Sequence, residues 1–527
     1  MKRMLSFVIV IASVFNLAAC QGMQSASLEE AHEAWLVMQH EKPGTATAQT
    51  ALLKYDHAVA QVMQCLRSRE GTAAWGKEMQ TGGVRGWRLT FDAPETSGST
   101  RTLALAEFAH CRPAAEVRLH GFDRVVEHGG LGVPVVLAQD DPRIAQKPFH
   151  PPNGECLPAT AVLEFPPDVP GHAAEARLRF YNPLAVSEIA VGRYSHPLAE
   201  NLTAALQGTL TDLRVDEKGA GEEVKSASGE HASRLFFLSR YDKGRVPVVF
   251  VHGMLAGPDV WKNCVNEMYA DAGLRRRFQP VCFIYPSKLP IPASAARLRE
   301  LLTQARGRFD AGQENAGFGR MVLVGHSMGG LLARMQVIDS GEDFWRAFFD
   351  VSPERLEGAV DADTRHMLQQ SFFFKRRSDI GTVVFISTPH QGSVLADNRV
   401  LRTLVRTALF LPKTAGERVK ALMALPASFI HPESRDFHAW GVGGVENLAA
   451  KHPFARALAR HPVEVPFHSI IATRRTVDGR DSSDGIVPYW SAHLDGAASE
   501  TIVPYSHRCT EKPETVRAVM KILAGVR

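Results

Sequence analysis

The chain has 527 residues, of which 45% are hydrophobic and 22% charged. That composition fits packed globular protein in more than one domain and excludes a disordered or collagen-like chain. The formal net charge of +4 falls to +2 if Lys2 and Arg3 are removed with a leader, since no acidic residue precedes Cys20, and so weak an excess carries no nucleic-acid footprint.

Lys2 and Arg3 open a charged segment, residues 4–15 are apolar, and Leu17, Ala18 and Ala19 precede Cys20. This pattern resembles a lipoprotein signal peptide over residues 1–19. The resemblance implies a mature chain starting at Cys20, with a diacylglycerol on its thiol and an acylated amine, anchored to membrane by several acyl chains. The apolar run is too short to span a bilayer. Gln21, in place of aspartate, resembles lipoproteins sorted to the Gram-negative outer membrane, so a lipid-anchored place in the bacterial cell envelope is expected. The competing reading is an ordinary secretory signal in which Cys20 is merely the last residue.

Residues 20–215 have their own character. Helical spacing over 28–65 gives way to strand-like runs over 84–126, such as Gly86-Trp87-Arg88-Leu89-Thr90-Phe91, and predicts a small α+β domain. No motif in it carries chemistry. The stretch 216–232 is rich in Glu, Lys, Gly and Ser over 216–230, lacks apolar periodicity and is the expected linker.

From 233 to 527 apolar strands are predicted at 248–251, 281–284, 321–324, 383–386, 467–471 and 501–503, with helices between them. Two inserts exceed simple crossovers, 340–379 and 396–466. The first is rich in aromatics, including Phe344, Trp345, Phe348, Phe349 and Phe372. They read either as a cap lining an apolar pocket or as the buried core of helical insertions.

Gly325-His326-Ser327-Met328-Gly329 lies between the apolar run 321–324 and a helix-like run. A serine nucleophile on a strand-to-helix elbow needs glycine two places before and two after it, because side chains there would clash. Gly330 adds a third small residue for helix packing. Downstream, Asp484 falls in a polar turn after the strand 467–471, and His507 follows the strand 501–503. Nucleophile, acid and histidine in this order can converge at strand carboxyl ends. Asp481 and Asp495 compete for the acid and His493 for the base, although His493 precedes the last predicted strand. Upstream, the strand 246–251 runs into His252-Gly253-Met254, where a loop amide could face the same serine.

The stretches VHGMLAGPDVW (251–261), GHSMGG (325–330), STPHQGS (387–393) and DGIVPYWSAH (484–493) resemble bacterial serine lipases and esterases of the α/β-hydrolase superfamily. The series PLAENLTAAL, YPSKLPI, STPHQGS and SAHLDGAASE is similar to a group of large bacterial α/β-hydrolase lipoproteins. The resemblance spans roughly residues 235–527. It implies an α/β-hydrolase fold, a mostly parallel sheet with helices on both faces and a helical cap. It also implies Ser327 as nucleophile, His507 as base, Asp484 as its orienting acid, and the amides of Met254 and Met328 as an oxyanion hole. Some lipases of this type hold calcium near the acid, but no ligand set is evident, so neither metal nor cofactor is expected.

Six cysteines remain beside Cys20, and an oxidising compartment would favour their pairing. In the implied fold the helix of Cys264 packs on the strand of Cys282, making these the preferred disulfide; Cys65 with Cys111 is a second candidate. The expected activity is cleavage of an apolar ester or lipid. Two alternatives stay open: an acyltransferase using the same residues with an alcohol acceptor, and an envelope-binding lipoprotein without catalysis.

Overall fold

The computed structural model describes residues 25–81, 86–92, 101–139, 143, 147–167, 173–210, 233–287, 289–312, 314–393, 425–435, 448–474 and 482–526. The proposed signal, Cys20, the whole linker 216–232 and much of the insert 396–466 lie outside them. Two compact units form, Met1–Gln146 with Pro152–Thr209 and Lys147–Pro151 with Leu210–Arg527.

The first unit is α+β. Strands Met79–Thr81, Trp87–Phe91, Ala174–Tyr181, Glu155–Glu164, Val133–Gln139 and His110–Pro113 lie side by side in that order, and Thr102–Leu103 also pairs with Ala174–Tyr181. Helix Ala46–Arg67 is started by Thr45, whose hydroxyl accepts from the Ala48 amide at 3.2 Å. Its buried face, from Ala51 through Leu66, joins the core against the sheet. Tyr55 fixes the register there: its hydroxyl donates to the Leu163 carbonyl at 2.7 Å and accepts from the Leu163 amide at 2.8 Å.

The second unit is a seven-stranded sheet. We number its strands β1 Arg234–Phe237, β2 Val246–Val251, β3 Phe278–Ile284, β4 Met321–His326, β5 Ile380–Ile386, β6 Phe467–Ala472 and β7 Ser499–Val503. The spatial order is β1-β3-β2-β4-β5-β6-β7, parallel throughout except for β1, which pairs antiparallel with β3 at the edge. Every residue of β2 and β4 is buried, as expected for central strands covered on both faces. The six predicted strands are all present; β1 was not predicted. Phe149, far upstream, forms a bridge to Phe236 of β1 and so belongs to this unit.

Helices α1 Lys262–Ala270, α2 Ile291–Phe309, α3 Met328–Arg334, α4 Asp343–Phe348, α5 Ala362–Phe372 and α6 Pro513–Gly525 connect or follow these strands. Among them α1 packs with α6 and α2 with α3 and α5, while α4 packs on the helix Pro453–Ala459. Phe344, Trp345, Phe348, Phe349 and Phe372 of the first insert are buried against one another, with Trp345 and Phe349 stacked at 4.3 Å. They are the core of a helical insertion. Each such ring removed from water contributes roughly 1.5–3 kcal/mol.

Cys264 and Cys282 are not bonded, contrary to the expectation above. Cys264 on α1 turns its Sγ toward the Thr510 carbonyl, 3.8 Å away, and not toward β3. Cys282 sits in the middle of β3, flanked in register by Phe236 and Phe250. Cys65 and Cys111 are likewise buried thiols.

Candidate active site

Ser327 stands at the carboxyl end of β4 with φ of 54° and ψ of −123°, an arrangement costly for any residue with a side chain. The surrounding glycines explain how the chain holds it. A Cβ on Gly325 would lie 2.6 Å from the Gly329 carbonyl oxygen, and one on Gly329 would lie 2.3 Å from that of Val251 and 2.4 Å from that of His252. A Cβ on Gly330 would meet the Thr388 hydroxyl at 1.9 Å, so the third glycine seats α3 against the loop after β5.

The loop after β7 brings His507 to this serine, with Nε2 2.8 Å from Oγ. Its Nδ1 lies 2.6 Å from Oδ2 of Asp484, on the loop after β6. The other carboxylate oxygen accepts from the amides of Ile486 at 2.8 Å and Val487 at 2.7 Å, and the Asp484 carbonyl accepts from the His507 amide at 3.1 Å. All three side chains are buried, Asp484 to 1% exposure. Serine, histidine and carboxylate from three separate loops thus form one hydrogen-bonded series at the carboxyl edge of the sheet. Such a series moves a proton off the serine while the carboxylate fixes the ring.

His493 and Asp495 pair with each other away from this series. His493 is partly exposed and engaged by Glu500 at 2.7 Å and Asp495 at 3.1 Å, and the Glu500 hydrogen bond raises its pKa. Asp481 falls outside the described residues.

The loop after β2 lies against the elbow, since a Cβ on Gly253 would be 3.1 Å from that of Ser327. Met254 follows it directly, and Met328 is the first residue of α3, where amides lack intrahelical acceptors. Three residues not assigned from sequence hold this region. Tyr285 stacks on His252 at 4.5 Å, donates its hydroxyl to the His252 carbonyl at 2.8 Å, and approaches His252 Nε2 through its amide at 3.4 Å. His252 Nδ1 is therefore the protonated nitrogen and donates to the Gly253 carbonyl at 2.8 Å. Burial pushes the His252 pKa down to about 4, which keeps the ring neutral. His326 sits between the loops, its Nε2 2.9 Å from the His507 carbonyl. The sequence signal for His252 and His326 was their place in the His-Gly and Gly-His-Ser motifs, and nothing pointed to this role for Tyr285.

The 387–393 stretch supports the acid. Ser393 Oγ donates to the Ile486 carbonyl at 2.6 Å, Ser491 Oγ to the Gly392 carbonyl at 2.5 Å, and the His390 amide to the Ser491 carbonyl at 2.9 Å.

No curated protein matches the chain. Among solved structures, a mature lipase from Bacillus licheniformis is 16% identical over 55% of this chain and 97% of its own, with a TM-score of 0.31. An esterase from Thermogutta terrifontis is 15% identical over 55% and 93%, at 0.28. An esterase from a Rhodococcus species is 13% identical over 57% and 98%, at 0.28. The model of the alpha/beta hydrolase family matches residues 248–519, more than half of the chain. That match runs from β2 through the elbow and the acid loop to α6, and on it the chain belongs to the alpha/beta hydrolase family.

Proposed function

We propose that the protein is a serine hydrolase of carboxylic esters, acting on lipid or other apolar esters at the bacterial cell envelope. The observation that carries this is the series from Ser327 Oγ to His507 Nε2 at 2.8 Å and from His507 Nδ1 to Asp484 Oδ2 at 2.6 Å.

In this reading Ser327 Oγ attacks the ester carbonyl carbon while His507 Nε2 takes the hydroxyl proton. The carbonyl oxygen becomes negative and accepts from the amides of Met254 and Met328; losing one such donor typically costs about 100-fold to 1,000-fold in rate. The carbon–oxygen bond to the alcohol then breaks, and His507 returns the proton to the departing alcohol. Water, deprotonated by the same ring, attacks the acyl-enzyme and releases the acid. Asp484 keeps the proton of the neutral ring on Nδ1 and stabilises the imidazolium as it forms.

The apolar substrate and the envelope location rest on the leader pattern ending at Cys20, whose acyl chains would place the site beside lipid. A panel of esters graded in acyl length, with phospholipid vesicles included, tests the activity; absence of turnover by folded protein across the whole panel would reject it. Replacing Cys20 with alanine should end palmitate incorporation and release the protein from membranes, and unchanged labelling would reject the anchor.

A further inference from the structure

Arg334, the last residue of α3, is buried to 1% exposure, yet its Nε and Nη1 have no hydrogen-bond partner among the described residues. Its Nη2 alone is engaged, donating to the His461 carbonyl at 2.8 Å. No carboxylate among the described residues pairs with it, and burial alone pulls its pKa down to about 10. A guanidinium left this way is an uncompensated charge, which proteins avoid unless something neutralises it.

His390 in the loop after β5 is fully buried, and both its ring nitrogens are without partners among the described residues. Its ring meets the edge of Phe385 at 4.6 Å and its amide is shared between the carbonyls of Thr388 and Ser491. The two residues share one place in the fold. Gly330 of α3 abuts Thr388, and Arg334, four residues on, lies on the same helix face one turn further along. The charge of Arg334 acts on the His390 ring, which burial and that charge hold well below its usual range. The ring is therefore neutral and offers one N–H.

We propose that Arg334 and His390 form a buried site for a small monovalent anion of chloride size. The anion accepts from Arg334 Nε–H and Nη1–H and from one ring N–H of His390, and so neutralises the guanidinium. Complete burial of both side chains favours an ion that sheds its water readily and needs little room. The site has a structural purpose, because in the 387–393 loop it underlies Ser393 Oγ donates to the Ile486 carbonyl and the Gly392 carbonyl accepts from Ser491 Oγ, tying the loop to the segment that carries Asp484.

The full-length protein is melted in sodium chloride, sodium bromide and sodium gluconate at equal ionic strength, and crystals grown in bromide are examined for anomalous scattering. A saturating halide should raise Tm by roughly 2–4 °C over gluconate. Arg334→Met should remove that difference, and bromide should appear between Arg334 and His390. Equal melting in the three salts overturns the site, as does water, or a carboxylate from residues 394–447, standing at Arg334 Nε. If Arg334→Met does not fold, the bromide map of the unaltered protein decides alone.

Discussion

His326 Nε2 lies 2.9 Å from the backbone carbonyl of His507, and the two rings are 4.9 Å apart. Because a carbonyl only accepts, His326 carries its proton on Nε2. Burial, reinforced by His507, drives its pKa down to about 3, so it stays a neutral donor at any working pH. The residue before the nucleophile thus tethers the loop that delivers the proposed base. His326→Ala is expected to lower kcat roughly five- to tenfold, the worth of one neutral hydrogen bond, with KM unchanged. His326→Gln, which keeps a donor, should recover most of the rate. Steady-state kinetics of both variants check this, and an equal loss in each would assign His326 to packing only.

The elbow glycines differ sharply from glycines elsewhere. Gly329→Ala would press a methyl group onto the carbonyls of Val251 and His252, which are backbone and have no alternative position. Overpacking of this kind costs about 1–3 kcal/mol or more, and soluble yield and Tm should both fall. Gly307 in α2 has nothing within 4 Å of an added Cβ. Gly307→Ala should instead stabilise by about 0.5–1 kcal/mol. Thermal denaturation of the pair makes the comparison.

The two units should respond oppositely to acid. In the hydrolase unit His252, His326 and His390 are buried with pKa values lowered, to about 4 and about 3 for the first two. Each is fully stabilising above the unfolded value of about 6.5, and that stability is lost as pH falls toward the folded value. In the first unit burial raises Asp56 from 3.8 to about 7, while its Oδ1 accepts from the Gly132 amide at 2.8 Å. A raised acid contributes stability below about pH 4 that is lost as pH climbs through 7. Asp56→Asn should match the unaltered protein near pH 4 and exceed it in stability at pH 8. Hydrogen exchange resolved by unit, measured between pH 4.5 and 8, reads both effects.

Much of this architecture was legible because parallel strands buried on both faces leave continuous apolar runs, and because the elbow admits only glycine at fixed offsets. Ser327, Asp484 and His507 each follow a predicted strand, which is why their convergence could be expected. The edge strand β1 was missed because RLFF is short and pairs antiparallel with a distant strand. Phe149 was missed for a similar reason, since its bridge to Phe236 joins residues far apart in sequence. The disulfide failed because adjacent elements do not ensure facing side chains: α1 presents Cys264 to the segment after His507. Tyr285 carried no signal, as its role depends on stacking across strands.

Histidine substitutions separate the two candidate bases. His507→Ala should lower kcat by roughly 10⁴-fold, whereas His493→Ala, which breaks only contacts to Glu500, Asp495 and Tyr489, should leave it within about twofold. The reverse pattern would transfer the role. Initial rates on the best ester of the panel supply the measurement.

The role of Ser327 as nucleophile is tested by covalent labelling of the folded protein with a fluorophosphonate, followed by mapping of the modified peptide. One phosphonylated residue is expected, Ser327, with labelling abolished in Ser327→Ala and strongly slowed in His507→Ala. Folded protein that stays unlabelled, or that is labelled equally well without Ser327, would contradict it.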